Sequence, residues 1–226
     1  MCKTHFSLHN IYRFFINIIY PNICPCCETI IEYDGDFCDK CRNKILPYDS
    51  DFRIKHVDEF AAYCYYEGII RHAIRKYKIT AKGNSYYEFA FSIAQTLRRK
   101  RLTNSLDGIV YIPMTNSAQN ERGYNQVKLM AKELHSLLDI PVYDALVKIR
   151  NTKSQKSVSA EARRSNLKNA FAISDKVDIK GKRLLLIDDV CTTGSTLKSA
   201  AEKLKMAGAE YIIALTCCKT EEKQKL

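Results

Sequence analysis

The sequence predicts an α/β domain built on a mostly parallel sheet with helices on both faces, joined to a small metal-binding module near its N-terminus. Three observations predict this. From residue 109 onward the apolar runs are short, and several are separated by segments with helical spacing, the pattern of strands buried on both faces. Cys24, Cys26, Cys27, Cys38 and Cys41 all fall within 22–46, half of the ten cysteines, with little periodic apolar pattern between them. The stretch "RLLLIDDVCTTGST" (183–196) runs from a β-rich apolar segment into two acids and then a loop of small hydroxyl residues.

The length of 226 residues accommodates one full α/β domain and an appendage. Apolar residues at 46% and charged residues at 27% are ordinary for a folded globular chain and exclude disordered and collagen-like classes. Lys and Arg number 36 against 25 Asp and Glu, a net charge of +11 that favours anionic partners. A generic basic surface is the plainer alternative. The run Arg98-Arg99-Lys100-Arg101 closes a predicted helix, where cations suit the dipole.

Along the chain, "IYRFFINIIY" (11–20) is apolar but broken by Arg13 and Asn17 and too short to span a bilayer. No small-residue cleavage site follows it. It predicts a short amphipathic helix stopped by Pro21, no membrane span and a cytoplasmic protein. The expected organisation is that helix in 1–21, the cysteine module in 22–46, a polar linker in 47–59, the α/β domain in 60–220 and a tail in 221–226.

Within the domain, "FAAYCYY" (60–66) predicts a strand, and 69–78 and 86–101 have helical spacing. "DGIVYIP" is a strand ending at Pro113. Residues 126–138 form an amphipathic helix with Val127, Met130, Ala131, Leu134, Leu137 and Leu138 on one face. "ALVKI" (145–149), "AFAI" (170–173), "RLLLI" (183–187) and "YIIALTCC" (211–218) predict strands. A helix fills 195–207, with Gly208 just past its end. The polar stretch 150–168 has no core-facing pattern, and loops of that length are usually functional or mobile.

In the module, Cys24/Cys27 and Cys38/Cys41 make two C-x2-C knuckles. Each aims two thiolates at one point, and together they complete a tetrahedral S4 site suited to Zn2+. So short a segment cannot build a stable core, so this structural metal supplies much of its folding energy. Cys26 is an alternative ligand in place of Cys24 or Cys27. A redox dithiol and free cysteines are the metal-free alternatives. Cysteine pairs of this kind suit a reducing compartment.

The hydroxyl loop lacks the G-x-x-x-x-G-K-[ST] and G-x-G-x-x-G patterns, which excludes a P-loop and argues against a dinucleotide fold. Thr192, Thr193, Gly194, Ser195 and Thr196 nevertheless have the character of a phosphate cradle. Gly194 lets the backbone approach a ligand, and the amides opening the next helix favour a phosphate. Asp188 and Asp189 would repel a phosphate they touched. A little further along they suit sugar hydroxyls or Mg2+. The pattern therefore points to a ribose 5-phosphate. The alternative is an acidic turn before a helix capped by these hydroxyls.

"LLLIDDVCTTGSTL" resembles the phosphoribosyl pyrophosphate motif of type I phosphoribosyltransferases. With the cysteine module, "IPMTNSAQNERGYNQ" (112–126) and "TKSQKSVSAEARRSNLKNAF" (152–171), nearly the whole chain resembles the ComF/ComFC competence family. Met114 and Cys191 are mild departures. The resemblance implies a phosphoribosyltransferase-type fold in which Asp188 and Asp189 engage the ribose hydroxyls as the catalytic pair and the following loop holds the 5-phosphate. It also implies a pyrophosphate side with Arg122, Gly123, Asn125 and Gln126, a mobile hood with Gln155, Arg163, Arg164 and Asn166, and a basic aromatic motif containing Lys76. For Arg163 and Arg164 a solvated loop is the plain alternative.

Two functions follow. One is Mg2+-dependent phosphoribosyl transfer from phosphoribosyl pyrophosphate to an unidentified acceptor. The other is a competence role in DNA uptake, handling single-stranded DNA beside DNA-uptake or DNA-processing proteins. Net charge +11 and 14 tyrosines suit that role, although Tyr65, Tyr66, Tyr86 and Tyr87 are equally explained by packing. A nucleobase-salvage phosphoribosyltransferase is the alternative; such enzymes lack the zinc knuckle.

Overall fold

The computed structural model describes residues 15, 17–18, 21–32, 35–79, 85–103, 106–114, 124–149 and 170–221. In chain order the elements are α1 (Asp39–Arg42), β1 (Glu59–Tyr65), α2 (Gly68–Ile79), α3 (Ser85–Arg99), β2 (Gly108–Tyr111), α4 (Gln126–Leu138), β3 (Val142–Tyr143), β4 (Leu146–Lys148), β5 (Phe171–Ile173), β6 (Arg183–Cys191), α5 (Ser195–Met206) and β7 (Tyr211–Lys219). Five strands form one sheet in the order β1-β7-β6-β2-β3, and every neighbouring pair is parallel. The expected sheet type is therefore present. β4 and β5 pair separately and antiparallel. The run at 145–149 thus forms a strand outside the main sheet.

The strands read as continuous apolar runs because both faces are covered. On one face, Leu185, Ile187, Ile213 and Leu215 pack with Ile74, Phe89, Ile93, Met130 and Leu134 of α2, α3 and α4. On the other, Leu184, Leu186 and Ile212 pack with Leu197, Ala201 and Leu204 of α5 and with Phe171 of β5. The edge strand β3 escaped the sequence reading because it is only two residues long. Its place depends on Gly108: a Cβ there would sit 2.2 Å from the Tyr143 ring, so only glycine admits that ring against β2.

Two differences from the sequence reading bear on the site. β6 does not stop at residue 187 but runs through the acids to Cys191, because β7 continues beside it to Lys219. The side-chain alternation also breaks near the ends of these strands. Thr216 pairs with Ala62 and Asp188, and Cys218 with Cys64 and Val190, one register on both sides of the row of Cys217. The Thr216 hydroxyl donates to the Cys218 carbonyl across this row (3.0 Å). Cys217 and Cys218 both pack with the cluster of helices α2–α4, and Cys191 packs on the α5 side.

The cysteine module lies against the sheet edge rather than extending away. Phe37, buried, stacks on Tyr63 of β1 (centroids 6.1 Å) and meets Phe89 of α3 edge-on (6.4 Å). Asp36 beside it accepts from the Arg42 guanidinium (2.5 Å), the Phe37 amide (2.8 Å) and the Tyr63 hydroxyl (3.4 Å). Lys76 of α2 forms an ion pair with Glu28. The stretch 47–59, expected as a linker, follows the same edge: Tyr65 N donates to Leu46 O (2.9 Å) and Tyr48 N to Tyr63 O (3.2 Å), and Ile54 enters the core on the α5 side. Near the chain start, Phe15, Asn17 and Ile18 are helical, and the remainder of 1–20 lies outside the described residues. No described helix is long and apolar enough to cross a membrane.

Phe37 joins module and domain through one ring. Phe37→Ala is expected to cost about 3–5 kcal/mol, read as a lower urea midpoint. A midpoint unchanged from the parent would show that the ring does not hold the two parts together.

Candidate functional site

The module is a metal site. The Sγ atoms of Cys24, Cys27, Cys38 and Cys41 all lie within 4.8 Å of one another. A tetrahedral Zn2+ with bonds of about 2.3 Å separates its sulfurs by about 3.8 Å, so the four thiols fit that ion. Cys26 is not part of the set. Burial, reinforced by the charges of Cys24 and Cys27, pushes its thiol up to about 12. Burial raises Cys24 and Cys41 as well, so it is the convergence of the four sulfurs that separates Cys26 from the ligands. Cys27 behaves oppositely: its hydrogen bonds to Thr29 hold it down to about 6, within reach of the thiolate a metal requires.

The second centre lies at the carboxyl ends of β6 and β7, where parallel sheets place ligands. Asp188 and Asp189 are half-buried near the end of β6, and the Asp188 carboxylate accepts from the Asp189 amide (2.9 Å). Successive strand residues point to opposite faces. The Asp188 charge is felt by Lys148 of β4, whose amine burial pulls below its ordinary value while Asp188 pushes it back. The Asp189 charge is felt on the other face by Cys218 and Tyr77, both raised chiefly by burial.

Beyond Cys191 the chain turns through exposed Thr192 and Thr193 to Gly194, which caps α5 in the left-handed conformation (φ 72°). No side chain makes the capping bond. The hydroxyls are therefore not consumed as helix caps; Thr193 Oγ1 instead donates to Ser195 Oγ (2.9 Å). Ser195 and Thr196 are half-buried in the first turn. A Cβ on Gly194 would lie 3.1 Å from Ile54 and 3.2 Å from the Phe52 ring, a tight fit that those side chains would have to relieve, and the positive φ strains any other residue there.

Asn125 caps α4, its side chain accepting from Lys128 N (3.1 Å). Gln126 begins that helix, buried, and its carbonyl accepts from the Tyr77 hydroxyl (2.9 Å). Tyr77 thereby ties α2 to the start of α4 while lying near Asp189. Lys76, its neighbour, pairs with Glu28 of the cysteine module. Arg122, Gly123, Gln155, Arg163, Arg164 and Asn166 lie outside the described residues. Sequence reasoning missed Lys148 and Tyr77. The signal for Lys148 was a lone cation inside the apolar run "ALVKI"; for Tyr77 it was the one ring in "RKYK".

Together these features define a phosphoribosyltransferase-type α/β domain with an N-terminal zinc ribbon. Residues 128–226 match the phosphoribosyl transferase domain, and residues 15–52 match the double zinc ribbon domain. Competence protein F of Haemophilus influenzae is 30% identical over 194 residues, covering 84% of this chain and 81% of that one. The DNA utilization protein YhgH of Salmonella typhimurium is 27% identical over 204 residues, 88% of this chain and 85% of that one. The chain belongs to the competence protein F (ComF) family. A purine phosphoribosyltransferase from Pyrococcus horikoshii superposes with a TM-score of 0.37 and 23% identity over 61% of this chain and 84% of that one; the assignment does not rest on it.

The purified protein is expected to carry stoichiometric zinc, measured by elemental mass spectrometry. Cys24→Ser and Cys41→Ser should lose it, and Cys26→Ser should keep it. Loss of zinc from Cys26→Ser would place that thiol in the ligand set.

Proposed function

We propose that this protein binds phosphoribosyl pyrophosphate with Mg2+ and serves DNA uptake in the cytoplasm by handling single-stranded DNA. One observation carries the ligand: two half-buried carboxylates lead straight into a loop whose glycine caps a helix and whose hydroxyls do not cap it. Carboxylates accept from a diol, and helix-opening amides and hydroxyls donate to a phosphate. The separation of acids and amides along the chain matches a ribose 5-phosphate, whose hydroxyls and phosphate are likewise apart.

In this reading Asp188 and Asp189 orient the ribose, and 192–196 hold the 5-phosphate. Asn125 and Gln126, with Arg122 and Gly123, line the pyrophosphate side, and the stretch containing Gln155, Arg163, Arg164 and Asn166 covers it. Oxygen donors of this kind suit Mg2+; bound with the ligand, that ion supplies charge for the pyrophosphate oxygens. The DNA role is supported by the two relatives' names and by the net charge of +11.

Calorimetry with phosphoribosyl pyrophosphate and Mg2+ is expected to show binding that Asp188→Ala combined with Asp189→Ala abolishes; unchanged binding in the double variant would remove these residues from the site. For single-stranded DNA, affinity should fall steeply with added salt as counterions are released. An affinity indifferent to salt would contradict the DNA role.

A further inference from the structure

Lys219 ends β7 with only 2% of its surface exposed. Its ammonium sits 4.1 Å from the centroid of the Phe52 ring and donates to the Thr220 carbonyl (2.7 Å). Among the described residues it has no carboxylate partner. An ammonium has three N–H donors. Here the Thr220 carbonyl takes one and the Phe52 ring face another, which leaves a donor for a further acceptor. A buried cation is costly to retain unless an anion meets it.

The surroundings indicate where that anion lies. Lys219 is the register partner of Cys191, the residue from which the hydroxyl loop departs. Thr220 N donates to Cys191 O (2.9 Å), so the two chain ends run together. The Phe52 ring that carries the ammonium on its face also stands 3.2 Å from the Cβ position of Gly194. Cys191 packs on the α5 side, where strict alternation from Ile187 would have placed it with α2–α4. Lys219 and Gly194 therefore share the Phe52 ring, on the face of the sheet opposite Tyr77.

Charge calls for a cation at this place. A phosphate monoester carries about −1.5 to −2 near neutrality. The loop's amides and hydroxyls are neutral, and Asp188 and Asp189 just upstream add negative charge. Lys198 in the first turn of α5 is exposed, where solvent screens it. Lys219 is desolvated, and the same charge acts more strongly there.

We propose that Lys219 is a binding residue for the phosphate monoester of the ligand, supplying from beside the loop the positive charge that the loop lacks. The inference rests on the sugar-phosphate reading above and adds a side chain to it. Lys219 also selects the dianion, because its remaining donor and its charge both favour the fully ionised phosphate.

The test is calorimetry of the full-length, zinc-loaded protein with ribose 5-phosphate, from pH 5 to pH 8. The parent should bind more tightly as the second phosphate ionisation, near pH 6, is completed. Lys219→Met should bind about ten- to a hundredfold more weakly at pH 7, with a flattened pH profile and a thermal midpoint no lower than the parent's. Lys219→Arg should recover part of the affinity. Lys219→Gln serves the same comparison if the methionine variant does not fold. Neutral variants that bind as tightly as the parent, or weaken while keeping the parent's pH profile, would reduce Lys219 to a support for Phe52 and overturn the proposal. A parent that binds no ribose 5-phosphate would overturn both this proposal and the ligand reading; binding by the parent with no effect of the variants would overturn this one alone.

Discussion

The ladder between β6 and β7 is the constraint on which the rest depends. It keeps β6 extended through both acids to Cys191 and so sets where the hydroxyl loop begins. Had β6 ended at Ile187, the acids would sit in a turn with freedom to follow solvent. Held in a ladder, two adjacent carboxylates are directed to opposite faces, one toward Lys148 and one toward Tyr77 and Cys218.

The zinc ribbon and the domain share one hydrophobic unit. Cys24, Phe37 and Cys41 belong to the same buried cluster as Ile74, Phe89 and Met130. The chain leaving the ribbon then follows the sheet edge, where Asp58 accepts from Ile212 N (2.7 Å) and pairs with Lys205 of α5 (2.7 Å). On the way it delivers Phe52 and Ile54 to the underside of Gly194. Metal binding is folding energy for a module of this size. The same chain path brings Phe52 and Ile54 against the backbone at Gly194.

Much of the fold was legible in the sequence because its signals are local. Periodicity in 126–138 matches α4 residue for residue, and the uninterrupted apolar runs of β6 and β7 announce strands buried on both faces. The cysteine spacing was equally direct: knuckle geometry is a property of four or five consecutive residues, and the four thiols converge as that spacing implies. The acids and the glycine loop were legible for the same reason, since helix-opening amides and a required positive φ are encoded within a few positions.

What the sequence by itself determined is the inventory: the parallel strands, the helices, the four zinc-site thiols and the acid-loop motif, each a pattern of neighbouring residues. Tertiary structure alone decided relations between segments distant in the chain. Cys26 is set apart from the ligands because the other four sulfurs converge without it, and the polar stretch 47–59 becomes a packed edge because β1 and α5 receive it. Lys219 reads as an ordinary charged residue after an apolar strand. It becomes a buried residue beside the start of the hydroxyl loop because β7 pairs it with Cys191 and the Phe52 ring covers its ammonium, contacts between residues far apart in sequence.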